Sequence, residues 1–136
     1  MLKSIVICDS EGIPFFSRVF NEFKLLDDTL LSGLISAIGS VGKSLFKKEI
    51  ATITFGDGPD DPKITIVYKE LFSEEKSIYF VFFLAGETPM KKFREISTLV
   101  YVETKNYLKM ITSDRRALAE RINKILDTRF PELAKL

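Results

Sequence analysis

A chain of 136 residues that is 46% apolar, 29% charged and carries a net charge of +1 has room for one domain, residues 1–136, with a real core. Its balance gives no electrostatic case for nucleic acid or an acidic substrate. With one cysteine (Cys8) and no histidine, an internal disulfide is excluded, and the commonest general base and imidazole ligand are missing.

The start, Met1-Leu2-Lys3-Ser4, runs into a strand pattern without the apolar core of a signal peptide. Position 2 is Leu and no cysteine lies near the end, so lipidation motifs are absent. No apolar run approaches the about 20 residues of a membrane span. A cytoplasmic protein is the expectation.

Ser4 to Cys8 reads as a strand that is apolar on both faces. Asp9-Ser10-Glu11-Gly12 predicts a hairpin turn, with Gly12 in a left-handed position. Pro14 to Phe20 predicts a second strand, and Pro14 suits an edge. Asp27-Asp28-Thr29 offers helix caps. Leu30, Leu34, Ala37, Ile38, Val41 and Leu45 follow at helical spacing, which predicts the stripe that faces the core. The same helix is rich in small residues: Ser32, Gly33, Ser36, Gly39, Ser40 and Gly42. A glycine inside a helix costs about 1 kcal/mol against alanine. Its repeated use predicts that another surface approaches the backbone closely.

Glu49 to Phe55 alternates, with Ala51, Ile53 and Phe55 against Thr52 and Thr54. The turn Gly56 to Pro62 is dense in turn formers. Ile64, Ile66 and Tyr68 alternate with Lys63, Thr65 and Lys69 in a fourth strand. Ser73 to Lys76 turns the chain into Ile78 to Ala85. In that strand both alternating faces are apolar, so it predicts a mid-sheet position with helices on both sides. Thr88-Pro89 caps the next helix, whose stripe is Phe93, Ile96, Val100, Thr104, Tyr107 and Ile111. Ser113-Asp114 opens the last helix, with Leu118, Ile122, Ile125 and Leu126 as its stripe, and Pro131 stops it.

Candidate chemistry is thin. Gly39-Ser40-Val41-Gly42-Lys43-Ser44 resembles the end of a phosphate-binding G-x-x-x-x-G-K-[ST] loop. The first glycine position holds Ala37, however, and the motif ends an amphipathic helix instead of leaving a buried strand. Asn123 to Asp127 has one residue too many for a guanine-reading N-K-x-D and sits mid-helix. A nucleotide-binding enzyme is therefore the weakest reading. Asp57, Asp60 and Asp61 lack the closing Glu of an EF-hand, because Tyr68 stands at that position. Cys8 has no histidine to activate it and reads as a small core residue. Lys43, Lys47 and Lys48 form a short basic patch. Arg115-Arg116 stands in the first turn of a helix, where cations are mildly unfavourable. No carboxylate pair, metal cluster or triad stands out. The expectation is a non-enzymatic protein without cofactor or metal.

The order β-β-α-β-β-β-α-α resembles the longin domain, found in trafficking-SNARE N-termini, clathrin-type adaptor subunits and tethering complexes. Asp9-Ser10-Glu11-Gly12-Ile13-Pro14 is similar to its first hairpin, and Asp28 to Ile38 to its first helix in stand-alone archaeal relatives. The neighbouring roadblock fold begins with an extra helix that has no counterpart ahead of Ser4. The resemblance implies an α/β (α+β) fold in three layers: a five-stranded, mostly antiparallel sheet in order 2-1-5-4-3, with one helix on one face and two on the other.

It also implies work by protein contact. A SNARE longin continues into a coiled coil and an anchor; this chain stops at Leu136, so no membrane-fusion role is expected. Longin and roadblock pairs form platforms that bind or regulate small GTPases, in vesicle trafficking among other settings. The expected partners are a second copy or a similar domain, and a small GTPase. Any membrane association would be peripheral, through partners. A scaffold subunit without a GTPase partner is the alternative. The expected interface comprises Leu31, Ser32, Ile35, Ser36, Gly39, Ser40 and Lys43 on the first helix, and Thr52 and Thr54 on the third strand.

Overall fold

The computed structural model describes residues 2–20, 28–48, 51–70, 77–87, 89–109 and 115–135. Its elements are β1 (Leu2–Asp9), β2 (Pro14–Val19), α1 (Asp28–Phe46), β3 (Thr52–Thr54), β4 (Pro62–Glu70), β5 (Ser77–Ala85), α2 (Met90–Lys109) and α3 (Arg115–Arg129). A short 3-10 turn, Leu133–Lys135, follows. The caps expected at Asp27, Thr88 and Ser113-Asp114, the turn at 73–76, Glu49, Ile50 and Ile111 lie outside the described residues, as do the side chains of Leu30 and Tyr107.

The strands form one sheet in the order β2-β1-β5-β4-β3. Every pairing is antiparallel. β5 lies between β1 and β4, where its doubly apolar sequence places it, and Ser77 to Leu84 are all buried. β2, which carries Pro14, is one edge and β3 the other.

The alternation of β1 and β5 sends side chains into two separate cores. On one face Ile5, Ile7, Phe80 and Phe82 pack with Phe93, Ile96 and Val100 of α2 and Leu118, Ile122, Ile125 and Leu126 of α3. Phe82 stacks on Phe93 with ring centroids 4.2 Å apart. On the other face Val6, Cys8, Ile64, Ile66, Tyr79, Val81 and Phe83 pack with Ile35 and Leu31 of α1. One helix on one face and two on the other, over this strand order, is the longin-like architecture.

The stripes expected on α2 and α3 face the sheet in every described side chain. Arg18 of β2 holds α3 in place. Its guanidinium pairs with Asp127 at 2.7 Å, donates to Asn123 Oδ1 at 3.3 Å, and lies 5.0 Å over the Phe20 ring. Asn123 and Asp127, the residues with a passing likeness to a guanine-reading motif, thus brace a helix against an edge strand. At the other end Lys92 reaches Glu132 at 3.3 Å and lies over Phe130.

Candidate interaction surface

The β1–β2 turn is the part of the chain that α1 is fitted to. Asp9 Oδ1 accepts from the N–H groups of Glu11 and Ile13, both at 2.9 Å, which closes the turn. Gly12 sits at φ +84°, a left-handed conformation that favours glycine. A Cβ there would lie 3.0 Å from Gly33 Cα and 3.3 Å from Ser32 O. Ser36 Oγ donates to the Ser10 carbonyl at 2.5 Å. The surface that approaches the small residues of α1 is therefore the chain's own hairpin.

This docking corrects the face expected for α1. Ser32 and Ile35 are fully buried against the sheet, Gly39 is buried, and Leu31 is half-buried. Leu34, Ala37, Ile38, Val41 and Leu45, read from sequence as the core stripe, are exposed instead. The helix is turned by about one residue, some 100°. Large side chains cannot face a turn that comes within van der Waals contact of the helix backbone. Ser32, Gly33 and Ser36 take that side, and Leu31 and Ile35 reach the sheet beside them.

The residues expected at an interface are consequently divided. Ser32, Ile35 and Gly39 serve the chain's own packing, and Ser36 is half-buried on the turn. Ser40, Lys43, Thr52 and Thr54 are exposed, and Leu31 is partly so. β3 is shorter than expected, with Thr52 opposite Thr65 and Thr54 opposite Lys63. Ile53 turns inward onto the α1-side core.

What sequence reading missed is the outer surface of α1. Of the exposed large apolar side chains among the described residues, Leu34, Ile38, Val41, Leu45 and Phe46 belong to α1, and Phe55 follows β3. Leu45 and Phe46 are 68% and 72% exposed. Positions 34, 38, 41 and 45 repeat at helical spacing, so they form one stripe. Phe55 and Leu31 line a cavity of about 320 Å³ with Ile64 and Phe83, which brings the end of β3 next to the start of α1. The outer edge of β3 has no strand paired to it among the described residues. Contiguous exposed apolar area of this kind marks contact surfaces.

Gly42-Lys43-Ser44 lies within α1. Lys47 ends that helix at φ +56° and donates its N–H to the Lys43 carbonyl at 3.1 Å. Asp61 Oδ2 accepts from Gly58 N at 2.7 Å, which makes the acidic stretch a turn closed on itself. Among the described residues no group of His, Cys, Asp or Glu is placed to hold a metal ion. Burial pushes the Cys8 thiol up to about 12; the neighbouring Ser32 hydroxyl opposes this and the Asp9 carboxylate adds to it. That hydroxyl lies by the sulfur without making a hydrogen bond of ordinary geometry. Arg116 pairs loosely with Glu120 at 3.7 Å along the exposed side of α3. Among the described residues no helix is long and apolar enough to cross a membrane.

Fold and surface together describe a longin-like α/β/α domain. Two solved structures are similar to this chain. Myxococcus xanthus MglB aligns with a TM-score of 0.49 and 18% identity, over 83% of this chain and 81% of that one. The gliding protein mglB from Thermus thermophilus aligns with a TM-score of 0.47 and 14% identity, over 90% of this chain and 78% of that one. No family model matches the chain, and no curated protein matches it.

Proposed function

We propose that this protein is a non-enzymatic interaction module that pairs with a second copy or a similar domain through α1 and the β3 edge, and that the pair binds or regulates a small GTPase. The observation that carries the pairing is the apolar stripe Leu34-Ile38-Val41-Leu45, continued by Phe46 and bordered by Phe55. Leaving such side chains in water forgoes about 1.5–3 kcal/mol for each one that a partner could fully bury. The β3 edge beside it carries no proline and can extend the sheet across the contact. The GTPase follows from the longin resemblance and is assigned to no residue.

The pairing is tested by light scattering at tens of micromolar. The parent is expected to be a dimer, burying on the order of 1,200 Å² or more in total. Val41→Glu with Leu45→Glu is expected to be a monomer with an unchanged circular dichroism spectrum, because both side chains are exposed. Ser36 is no probe of the pairing, because its hydroxyl already serves the hairpin contact. A parent that stays monomeric refutes self-association. A dimer that survives the double substitution moves the interface off α1. Binding assays with small GTPases loaded with GDP or a GTP analogue then test the second half. Failure of every GTPase to bind would leave the scaffold reading in its place.

A further inference from the structure

α2 and α3 run side by side on the face of the sheet opposite α1, and an open, shallow trough runs along their outward sides. Its wider part, about 690 Å³, lies between Lys91 to Val102 of α2 and Arg129 and Phe130 at the end of α3. A second part, about 190 Å³, continues between Glu103 and Arg121 to Arg129. Arg129 lines both, so the two depressions adjoin at its side chain. The residues come from successive turns: 91, 94, 98 and 102 on α2, and 121, 124 and 128 on α3, each set on one helical face.

The chemistry of the trough is uneven. Its floor includes Leu99, half-buried, and Val102, which is 54% exposed. Val102 is the one exposed large apolar side chain that α2 and α3 contribute among the described residues. Five cations stand around it: Lys91, Arg94, Arg121, Lys124 and Arg129. The acids are Glu95, which lies 3.7 Å from Lys92, and Glu103. None of the five cations makes an ion pair or a side-chain hydrogen bond with a described residue. A chain of net charge +1 has thus gathered a local excess of positive charge around an apolar floor.

We propose that this trough docks an acidic amphipathic helix of a partner protein, with apolar side chains on Leu99 and Val102 and carboxylates against the five cations. Residue placement favours a helix over a bilayer. The lining comes from two helices packed side by side, so a rod-like ligand laid along them meets cations of both. A flat anionic surface would need apolar side chains projecting beyond the cations, and Val102 alone does not supply them. The charge pattern selects acidic flanks and disfavours basic ones. The site lies on the far side of the sheet from α1, so it stays open whether or not the protein pairs through α1.

The test uses the full chain and a labelled helical peptide with Leu at positions i, i+4 and i+7 and Glu on both flanks, followed by fluorescence anisotropy. Saturable binding is expected, weakening as salt rises. Arg94→Glu with Arg129→Glu is expected to lower affinity by about tenfold or more, as is Val102→Asp alone. All three side chains are exposed, and unchanged circular dichroism spectra confirm that the variants fold. Equal affinity for a peptide with Gln in place of Glu would overturn the electrostatic match. Binding to phosphatidylserine vesicles but not to the peptide would overturn the proposal in favour of a membrane surface. A dimer lost on Val102→Asp would instead make the trough a contact between copies of this chain. Absence of binding to either probe overturns the proposal outright. The α1 variants are expected to bind the peptide like the parent, so failure of the pairing reading leaves this result intact.

Discussion

Two glycines that face each other across the α1–hairpin contact should respond to the same substitution in opposite directions. In Gly12→Ala the new methyl group falls 3.0 Å from Gly33 Cα and 3.3 Å from Gly33 N and Ser32 O. All of these are backbone atoms, so relief requires α1 or the turn to move. The φ of +84° adds its own penalty, about 1–2 kcal/mol for an L side chain held in the left-handed region. Displacing α1 also stretches the Ser36 Oγ to Ser10 O hydrogen bond, worth about 1 kcal/mol. The sum is about 2–3 kcal/mol, or about 8–12 °C in melting temperature at about 4 °C per kcal/mol for a domain of this size. In Gly33→Ala the new Cβ meets nothing within 4 Å. There the helix gains up to about 1 kcal/mol of propensity, so the variant should melt at or above the parent. Thermal melts by circular dichroism with urea titrations measure both. A Gly12→Ala protein as stable as the parent would show that the turn does not rest on α1. A Gly33→Ala protein that melts several degrees lower would show that the helix lies closer to its neighbours than described.

Arg18→Ala should cost about 1 kcal/mol, since the ion pair with Asp127 is partly exposed, and should speed amide exchange in α3 more than in α2; Arg18→Lys should recover only part of the loss, because one ammonium cannot serve both Asn123 and Asp127. Phe93→Ala removes a fully buried ring stacked on Phe82 and should cost about 3–5 kcal/mol, read as a lower urea midpoint at unchanged slope. Cys8 should resist iodoacetamide in the native protein at pH 8 and react only on unfolding. Because the folded-state pKa of its thiol lies above the ordinary 9.0, the stability gained by keeping it neutral is complete below pH 9 and is lost as pH climbs towards 12. Cys8→Ala should therefore lose less melting temperature than the parent over that alkaline range.

The strands and their burial were legible because period-two alternation has only two outcomes per strand. Ile78 to Ala85 is apolar at every position, which leaves mid-sheet as its only stable place, and Pro14 marked the β2 edge. The strand order itself came from resemblance, since alternation says which strands are buried and not which are neighbours. α1 was legible as a helix and misread as to face. It carries two apolar stripes: Leu34, Ile38, Val41 and Leu45 are more numerous, while Leu31 and Ile35 are flanked by Ser32, Ser36 and Gly39. Periodicity rewards the larger stripe. The fold chose the smaller one because Gly12 and Ser10 lie against it, a contact between residues more than twenty positions apart. The signal that could have found this was the small-residue face read as a packing surface for the chain itself.

The choice of face has a physical consequence for function. A helix that buries small residues and exposes large ones gives up core volume on its own sheet: the α1-side core is the lesser of the two and, among the described side chains, is closed from α1 by Ile35 and Leu31. The opposite side has no such deficit, because α2 and α3 each set several large side chains on the sheet. A sequence selected only for monomer stability would place Leu34, Ile38, Val41 and Leu45 inward and open the hairpin turn to admit them. Keeping them outward makes sense if their burial is completed by another chain. The two exposed surfaces then differ in kind. The α1 surface is apolar and suited to obligate or near-obligate pairing, where burial dominates. The α2–α3 trough is cationic with a small apolar floor and suited to an exchangeable, salt-sensitive ligand. Between them stands β5, buried on both faces, which holds the two surfaces on opposite sides of one rigid sheet.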